Sequence, residues 1–495
     1  MQRLALTLST FGIIVVMLIN LALFYQNGQL RRQLAAPQPT QAAASPAQAA
    51  EIADLTTRLD RAERDRAKAI GDANSLRGQV DQLTSAAQER DALKAELQTL
   101  RQQNDELRTE AANLQTMNAI GGQVTPLRGL SPLGSVPRTF MNREQLRAYF
   151  TELLARDWPT EAEAREQAAL RALDMAGASG DLRQSQIDSA TRSILGFYDH
   201  DTKQLVVVTN RASMGVRDRV TYAHEYTHSL QDQHFGLAKL FAQAEGNNDY
   251  ALALRALVEG DATLTMGLYA NQHLSDLDRA NYQLEEFQSI DLSGLTFGSG
   301  PMVESAAYFP YREGAGFVGA LYATGGWQMV DAAFSHPPRS TEQVLHPERY
   351  AAGDAPVAVQ LPAYQLGGWR TLAEDTLGEL YLRIYLERAL PFEQAIPACE
   401  GWGGDRYQVL GDEQGRVALA LQTAWDTPEA AQRFYGAMSS FVAGLGGSPG
   451  LLEADASHTR WQLAGRQFYV GLAGSRVLVL HAPDGSALDA LIRQS

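Results

Sequence analysis

Cysteine is almost absent: Cys399 is the only one in 495 residues, so no intrachain disulfide can form and a disulfide-stapled scaffold is excluded. A basic excess is absent too. The formal net charge is -15 at pH 7, which excludes the cationic footprint of a nucleic-acid binder. Residues 33–50 have almost no large apolar side chains. They are mainly Ala, Gln and Pro and cannot bury a core, so they read as a linker. Proline is missing throughout 51–118, which leaves that stretch free to run as one helix. Charge is missing from Leu4 to Tyr25. At about 1.5 Å per residue, that run is about long enough to cross a hydrocarbon core of about 30 Å. Phe24-Tyr25-Gln26-Asn27 follows it where a secretory signal would place small residues for cleavage, and this favours an uncleaved anchor over a signal peptide. Residues 1–32 are therefore expected to be a transmembrane helix. Arg3 on one side and Arg31 and Arg32 on the other do not decide its orientation. A span followed by the whole body points to a single-pass protein of the cell membrane with the bulk of the chain extracytoplasmic.

Residues 51–118 carry apolar or small residues at spacings of four and three, from Leu55 and Leu59 through Leu76, Val80 and Leu83 to Ala87. The phase then slips and restarts at Leu93, Leu97 and Leu100, with Asn104 on the seam ahead of Leu107, Ala111 and Leu114. This is an a/d heptad pattern. It reads either as an amphipathic helix folded back on its own chain or as a parallel coiled coil joining two copies. The regular seam favours the coiled coil and a homodimer. A Gly/Pro-rich boundary follows at 119–138.

Asn142 is placed to cap a helix over Arg143–Arg156, with Gln145 at the capping-box position. Residues 195–209 read as a hairpin turning at Asp199–Lys203. A helix is expected to follow through about Gln233, and a second one from Tyr250 to about Tyr269. The end of the chain alternates strands at 406–410, 416–424, 459–463, 466–472 and 475–481 with a Thr427-capped helix from Pro428. The expected architecture is α+β throughout. A transmembrane helix and coiled-coil stalk lead into a mixed α+β domain over 139–394 and a small α+β domain over 395–495.

The chemistry concentrates at His224-Glu225-Tyr226-Thr227-His228. Histidines four apart on a helix share a face one turn apart, and two nitrogens so spaced can bind one Zn²⁺. Glu225 flanks that face and can reach a water rather than the metal, as the general base of an H-E-x-x-H site requires. Val220, Ala223, Thr227 and Leu230 supply an apolar stripe at helical spacing. The alternative is a surface helix with two incidental histidines. Two residues compete as third ligand. Glu259 lies in the apolar, helix-periodic run 253–263, where an unpaired carboxylate is costly to bury. His234 stands six residues after His228, the step of the longer H-E-x-x-H-x-x-G-x-x-H pattern, but Gln231 occupies the glycine position. Glu259 is favoured; an ion pair with Arg255 is its non-metal reading.

HEYTH followed by a second helix bearing Glu259-Gly-Asp-Ala resembles the gluzincin group of zinc metallopeptidases, which includes the thermolysin-like enzymes. The resemblance covers roughly 195–350 and is sharp at the two motifs. It implies His224, His228 and Glu259 as zinc ligands, Glu225 as base, and a substrate-binding edge strand ahead of the motif helix, for which 204–209 is placed. Glu259-Gly-Asp261 departs from the thermolysin-like signature, which leaves the outer support open. Asp261 or Asp232 could orient a ligand histidine. The group draws an oxyanion donor from beyond the zinc helices; here His346 is the first candidate and Tyr311 the second. The implied activity is zinc-dependent endopeptidase hydrolysis of protein or peptide substrates. The rivals are a catalytically silent zinc-domain scaffold and a closed structural zinc site.

Overall fold

The computed structural model describes residues 25, 29, 31, 32, 45–175, 182–208, 213–289, 300–446 and 449–495. Contacts divide the chain into two compact units, Met1–Arg108 and Thr109–Ser495. Helix α1, Pro46–Arg128, begins in the first unit and ends in the second. It is the only element over residues 45–108. Its large seam side chains from Leu76 to Leu107 are exposed, Leu83 by 70%, whereas Leu55 and Leu59 are half-buried.

The helix does not stop at 118. Met117, Ile120 and Val124 are buried with Tyr222 and Tyr226, and this packing carries the helix through Gly121 and Gly122 to Arg128. A Cβ on Gly121 would sit 3.0 Å from the Tyr226 ring, so that glycine permits a close approach instead of breaking the helix. The break falls at Gly129, where φ is +78°.

The second unit continues with strand β1 (Arg138–Met141) and helices α2 (Arg143–Asp157), α3 (Thr160–Ala172) and α4 (Leu182–Ser193). Strands β2 (Gly196–Asp199) and β3 (Gln204–Val208) follow. The middle of the unit is helical. It comprises α5 (Val216–Phe235), α6 (Leu237–Ala242), α7 (Asn248–His273), α8 (Asp276–Ser289), α9 (Gly300–Ser335), α10 (Thr341–Leu345) and α11 (Pro347–Ala352). The remainder is β4 (Arg370–Asp375), α12 (Gly378–Glu387), α13 (Phe392–Cys399), β5 (Trp402–Gly411), β6 (Val417–Trp425), α14 (Pro428–Gly444), β7 (Gly450–Ala454), β8 (His458–Leu463), β9 (Arg466–Ala473), β10 (Arg476–Ala482) and α15 (Gly485–Ile492).

The first sheet has the order β1-β3-β2, parallel between β1 and β3 and antiparallel between β3 and β2. The second is antiparallel, in the order β4-β5-β6-β10-β9-β8-β7. It begins at Arg370, earlier than the boundary of 395 read from the sequence. Its inward face packs on α14 and, through Trp402, Tyr407 and Leu421, joins the same apolar core as α7 and α9.

The architecture expected from the sequence is corrected in two respects. The described chain is mostly helical with two sheets, where an α+β architecture was expected. Among the described residues no helix is long and apolar enough to cross a membrane. The long helix α1 is excluded because charged residues recur along it, giving a mean hydropathy below zero. The expected span Leu4–Tyr25, apart from Tyr25, lies outside the described residues, as does the linker up to residue 44. The single-pass membrane anchor, and the extracytoplasmic placement argued from it, are accordingly dropped.

Candidate metal centre

Helix α5 is bounded by local chemistry. At its start the Gly215 N–H donates to Asp218 Oδ2 at 2.8 Å. At its end Gly236 takes a left-handed φ of +66° and its N–H donates to Asp232 O. Between them Val220, Ala223, Thr227 and Leu230 are buried, so the helix is fixed by its apolar stripe. His224 and His228, one turn apart, are only 7% and 9% exposed.

Helix α7 supplies the third group. Gly260 is what lets α7 approach α9: a Cβ there would lie 2.2 Å from Gly314 O, and one on Gly314 would lie 2.2 Å from Ala256 O. This crossing holds Glu259 against α5. Its Oε2 is 3.0 Å from His224 Nε2 and 3.3 Å from His228 Nε2, and the two Nε2 atoms are 3.0 Å apart. Ligands on a tetrahedral zinc, with bonds of about 2.0–2.2 Å, stand on the order of 3.3 Å apart. The triangle therefore fits that ion in size as well as in donor type.

The electrostatics agree. Burial works against a charged imidazole, yet the Glu259 carboxylate raises His228 to about 9. Burial likewise works against a charged Glu259, yet His228 and the hydrogen bonds from both imidazoles hold it well below the usual carboxylate range. A metal ion bound here would displace that proton, because imidazoles ligate in their deprotonated form.

A second layer fixes the ring of His228. Its Nδ1–H donates to Gln231 Oε1 at 2.8 Å, which turns Nε2 toward Glu259 as the ring atom that a metal would take in place of its proton. Gln231 Nε2 donates to Val258 O and Asp261 Oδ2, both at 2.9 Å. Asp261 Oδ1 accepts from Arg128 Nε at 2.6 Å, and Arg128 Nη2 reaches Asp331 Oδ1 at 2.7 Å. The Arg128 guanidinium also lies 4.4 Å from the centre of the Trp327 ring. Asp261 therefore does not accept from a histidine ring directly, as the sequence had suggested it could; it is linked to His228 through Gln231.

Glu225 is half-buried, and its Oε2 accepts the backbone N–H of Tyr198 at 3.0 Å. Burial raises its pKa, and the two histidines oppose that rise. The hairpin that presents Tyr198 is fastened by Asp232. Its Oδ2 accepts from Tyr198 Oη at 2.8 Å and Lys203 Nζ at 2.6 Å, and its Oδ1 accepts from Leu237 N–H. Asp232 is therefore a clamp on the hairpin. The strand expected at 204–209 is β3, and it sits in the centre of its sheet, because β1 adds a partner on its other side. The sheet edge beside the motif helix is β2.

Tyr311 on α9 reaches the triangle. Although 45% exposed overall, its hydroxyl lies beside Glu259 and Glu225; burial first, then these two carboxylates, push its pKa well above the usual phenol range. Its ring centre is 6.1 Å from that of His224. His346 is placed elsewhere. Its Nε2 is 3.2 Å from Glu379 Oε1 and 3.1 Å from Arg383 Nη2, at the junction of α10 and α12. His234 turns away at the end of α5, its Nε2 2.7 Å from Ser131 O. Arg255 forms no ion pair with Glu259 among the described residues. The sequence reading passed over Gln231 as a support, although its position three residues after His228 puts it on the same helix face. It also missed Arg128, which lay inside the stretch read as a boundary.

A second acidic group, Glu342, Asp354 and Asp426, gathers around the Arg349 guanidinium, with Nη1 at 3.2, 2.6 and 2.6 Å from the three carboxylates. The arginine offsets part of the charge of that group and occupies its centre.

Residues 365–492 match the family described as Domain of unknown function (DUF8575), which takes in the second sheet and leaves the candidate metal centre outside. No curated protein matches the chain, and no solved structure does.

Proposed function

We propose that this protein is a zinc-dependent peptide hydrolase. The observation that carries the reading is the buried triangle of His224 Nε2, His228 Nε2 and Glu259 Oε2, with edges of 3.0, 3.0 and 3.3 Å and Glu225 alongside. The three side chains would hold the ion, and no fourth His, Cys, Asp or Glu joins them among the described residues, so a further position would be left for water or substrate. Zinc held there supplies a Lewis acid that polarises a carbonyl and acidifies water. Glu225, next in sequence to His224 and held by Tyr198 N–H, takes a proton from the attacking water and returns it to the leaving amine. The Tyr311 hydroxyl, whose proton is held tightly among carboxylates, donates to the oxygen of the peptide carbonyl as negative charge develops on it. Gln231 keeps His228 in the tautomer that faces the ion. A closed structural zinc site would need a fourth protein ligand. The histidine nearest in sequence, His234, is engaged with Ser131 O instead.

The test is to purify the full chain, measure bound zinc, and assay cleavage of casein and quenched peptides beside Glu225→Gln. About one zinc per chain, with cleavage lost in the variant and zinc retained, is the expected result. Zinc without cleavage in either form would favour a docking domain. Absence of zinc in metal-replete preparations would overturn the reading.

A further inference from the structure

From Leu76 to Leu107 the large apolar seam residues of α1 are 44–70% exposed; the ion pair from Arg31 reaches the helix at Glu63, ahead of this stretch. The seam ends after Leu107, because Leu114 packs against the core of the second unit. We infer that this seam is covered by a second copy of the same helix, lying parallel and in register. The inference is independent of the metal site.

The charges beside the seam choose the partner and its direction. With Leu93, Leu100 and Leu107 at d and Leu97 and Asn104 at a, the flanking g and e positions can be read off the sequence on both sides of the phase slip. The g row is acidic at Asp65, Asp72, Glu89 and Glu96. The e row is basic at Arg77, Lys94, Arg101 and Arg108. Two parallel copies set each g against the e five residues further along the partner. This pairs Asp72 with Arg77, Glu89 with Lys94 and Glu96 with Arg101. The one inverted pair, Arg58 at g and Glu63 at e, is complementary in the same way. No g–e′ pair over 51–108 is of like charge. Antiparallel copies would set g against g and e against e, bringing acid to acid and base to base along both flanks.

Register follows from two positions. Asn104 meets its own counterpart only when the copies are unshifted, and its amide is then satisfied across the seam; slipped by a heptad it would face Leu97 or Ala111 and be left unpaired. The same slip would set Asp65 against Glu63. Arg66 and the alanines weaken the first half of the seam, so Leu93 to Leu107 supplies most of the apolar contact.

Cys399 is buried, so a cysteine introduced on the seam is the reactive thiol of the full-length chain. Leu107→Cys is expected to form a disulfide to its own counterpart under mild oxidation, and sedimentation of the unmodified chain to give twice the chain mass. The triple change Arg77→Glu, Lys94→Glu, Arg101→Glu should raise the dimer dissociation constant by about tenfold or more. Mixing it with Asp72→Lys, Glu89→Lys, Glu96→Lys should restore dimers containing one of each. A monomeric or three-chain mass would overturn the inference. So would a Leu107→Cys chain that crosslinks to Leu55→Cys but not to itself, which is the antiparallel result.

Discussion

Arg128 Nε lies 2.6 Å from Asp261 Oδ1, and neither side chain has any exposed surface. One residue ends the long helix, and the other follows the third metal-site residue by two positions. Removing one member of a buried ion pair strands the other charge, at a cost of about 3–5 kcal/mol. Arg128→Met is therefore expected to lower the melting temperature sharply. Because Asp261 steadies Gln231, and Gln231 steadies His228, zinc affinity should fall as well, by roughly 10–100-fold. Gln231→Leu should reproduce the loss of affinity with a smaller loss of stability. Competition with a chelating dye measures the first quantity and thermal unfolding the second. Unchanged affinity in both variants would confine the relay to a structural role.

Tyr311 and His346 make opposite predictions. Tyr311→Phe removes the hydroxyl beside Glu259 and should lower kcat by about 10²–10³ while KM and zinc content change little. His346→Ala should leave kcat near that of the parent. Its effect falls on stability, by about 1–3 kcal/mol, because Glu379, with no exposed side-chain surface, loses a partner. Steady-state kinetics on the two variants side by side separate the roles; a large kcat loss in His346→Ala would reverse the assignment.

Local signals explain what the sequence disclosed. Asn142 and Gln145 form the capping box their spacing announces, and Thr427 caps the helix that Pro428 opens. The i, i+4 histidines and the apolar run around Glu259 were legible because each is a pattern within one helix. What escaped depends on contacts between distant segments. Gly121 and Pro126 look like breakers until Tyr226 and its neighbours bury that turn. Strand β1 is four residues long and is a strand only because β3 pairs with it, which moved the substrate-edge expectation from β3 to β2. Arg128, His346 and Tyr311 each depend on a partner more than thirty residues away, and no periodicity reports such a partner.

The crossing of α7 and α9 offers a steric test. In Gly260→Ala the new methyl would fall 2.2 Å from Gly314 O, which is backbone and cannot swing aside. The helices must separate, at a cost of about 1–3 kcal/mol or more. Glu259 and Tyr311 lie on the two helices that part, so zinc affinity and kcat should fall together. Gly267→Ala, on the same helix with open space at its Cβ, is the matched control and should be neutral or slightly stabilising. Equal behaviour of the two variants would show that the crossing does not set the site.

Asp249 gives the pH test. It is 1% exposed, and its Oδ1 accepts from Thr341 N–H at 3.0 Å and Thr341 Oγ1–H at 2.6 Å. Burial, reinforced by the Asp405 and Glu379 carboxylates and opposed by the Thr341 bonds, raises its pKa from 3.8 to about 8. The folded pKa lies above the unfolded one, so the protonated carboxyl is the stabilising form. Its contribution is complete below pH 3.8 and is lost as pH rises through about 8. Across that window stability should fall by up to roughly 1.4 kcal/mol per pH unit from this group. Asp249→Asn keeps the acceptor oxygen and removes the charge. Its melting temperature should therefore vary less between weakly acidic and weakly alkaline buffer and exceed that of the parent at the alkaline end. A residual slope in the acidic part remains from Asp405, which burial raises to about 6. Parallel curves for parent and variant would mean that Asp249 is already ionised in the folded chain, and that Thr341 and the nearby backbone donors solvate it well enough to offset its burial.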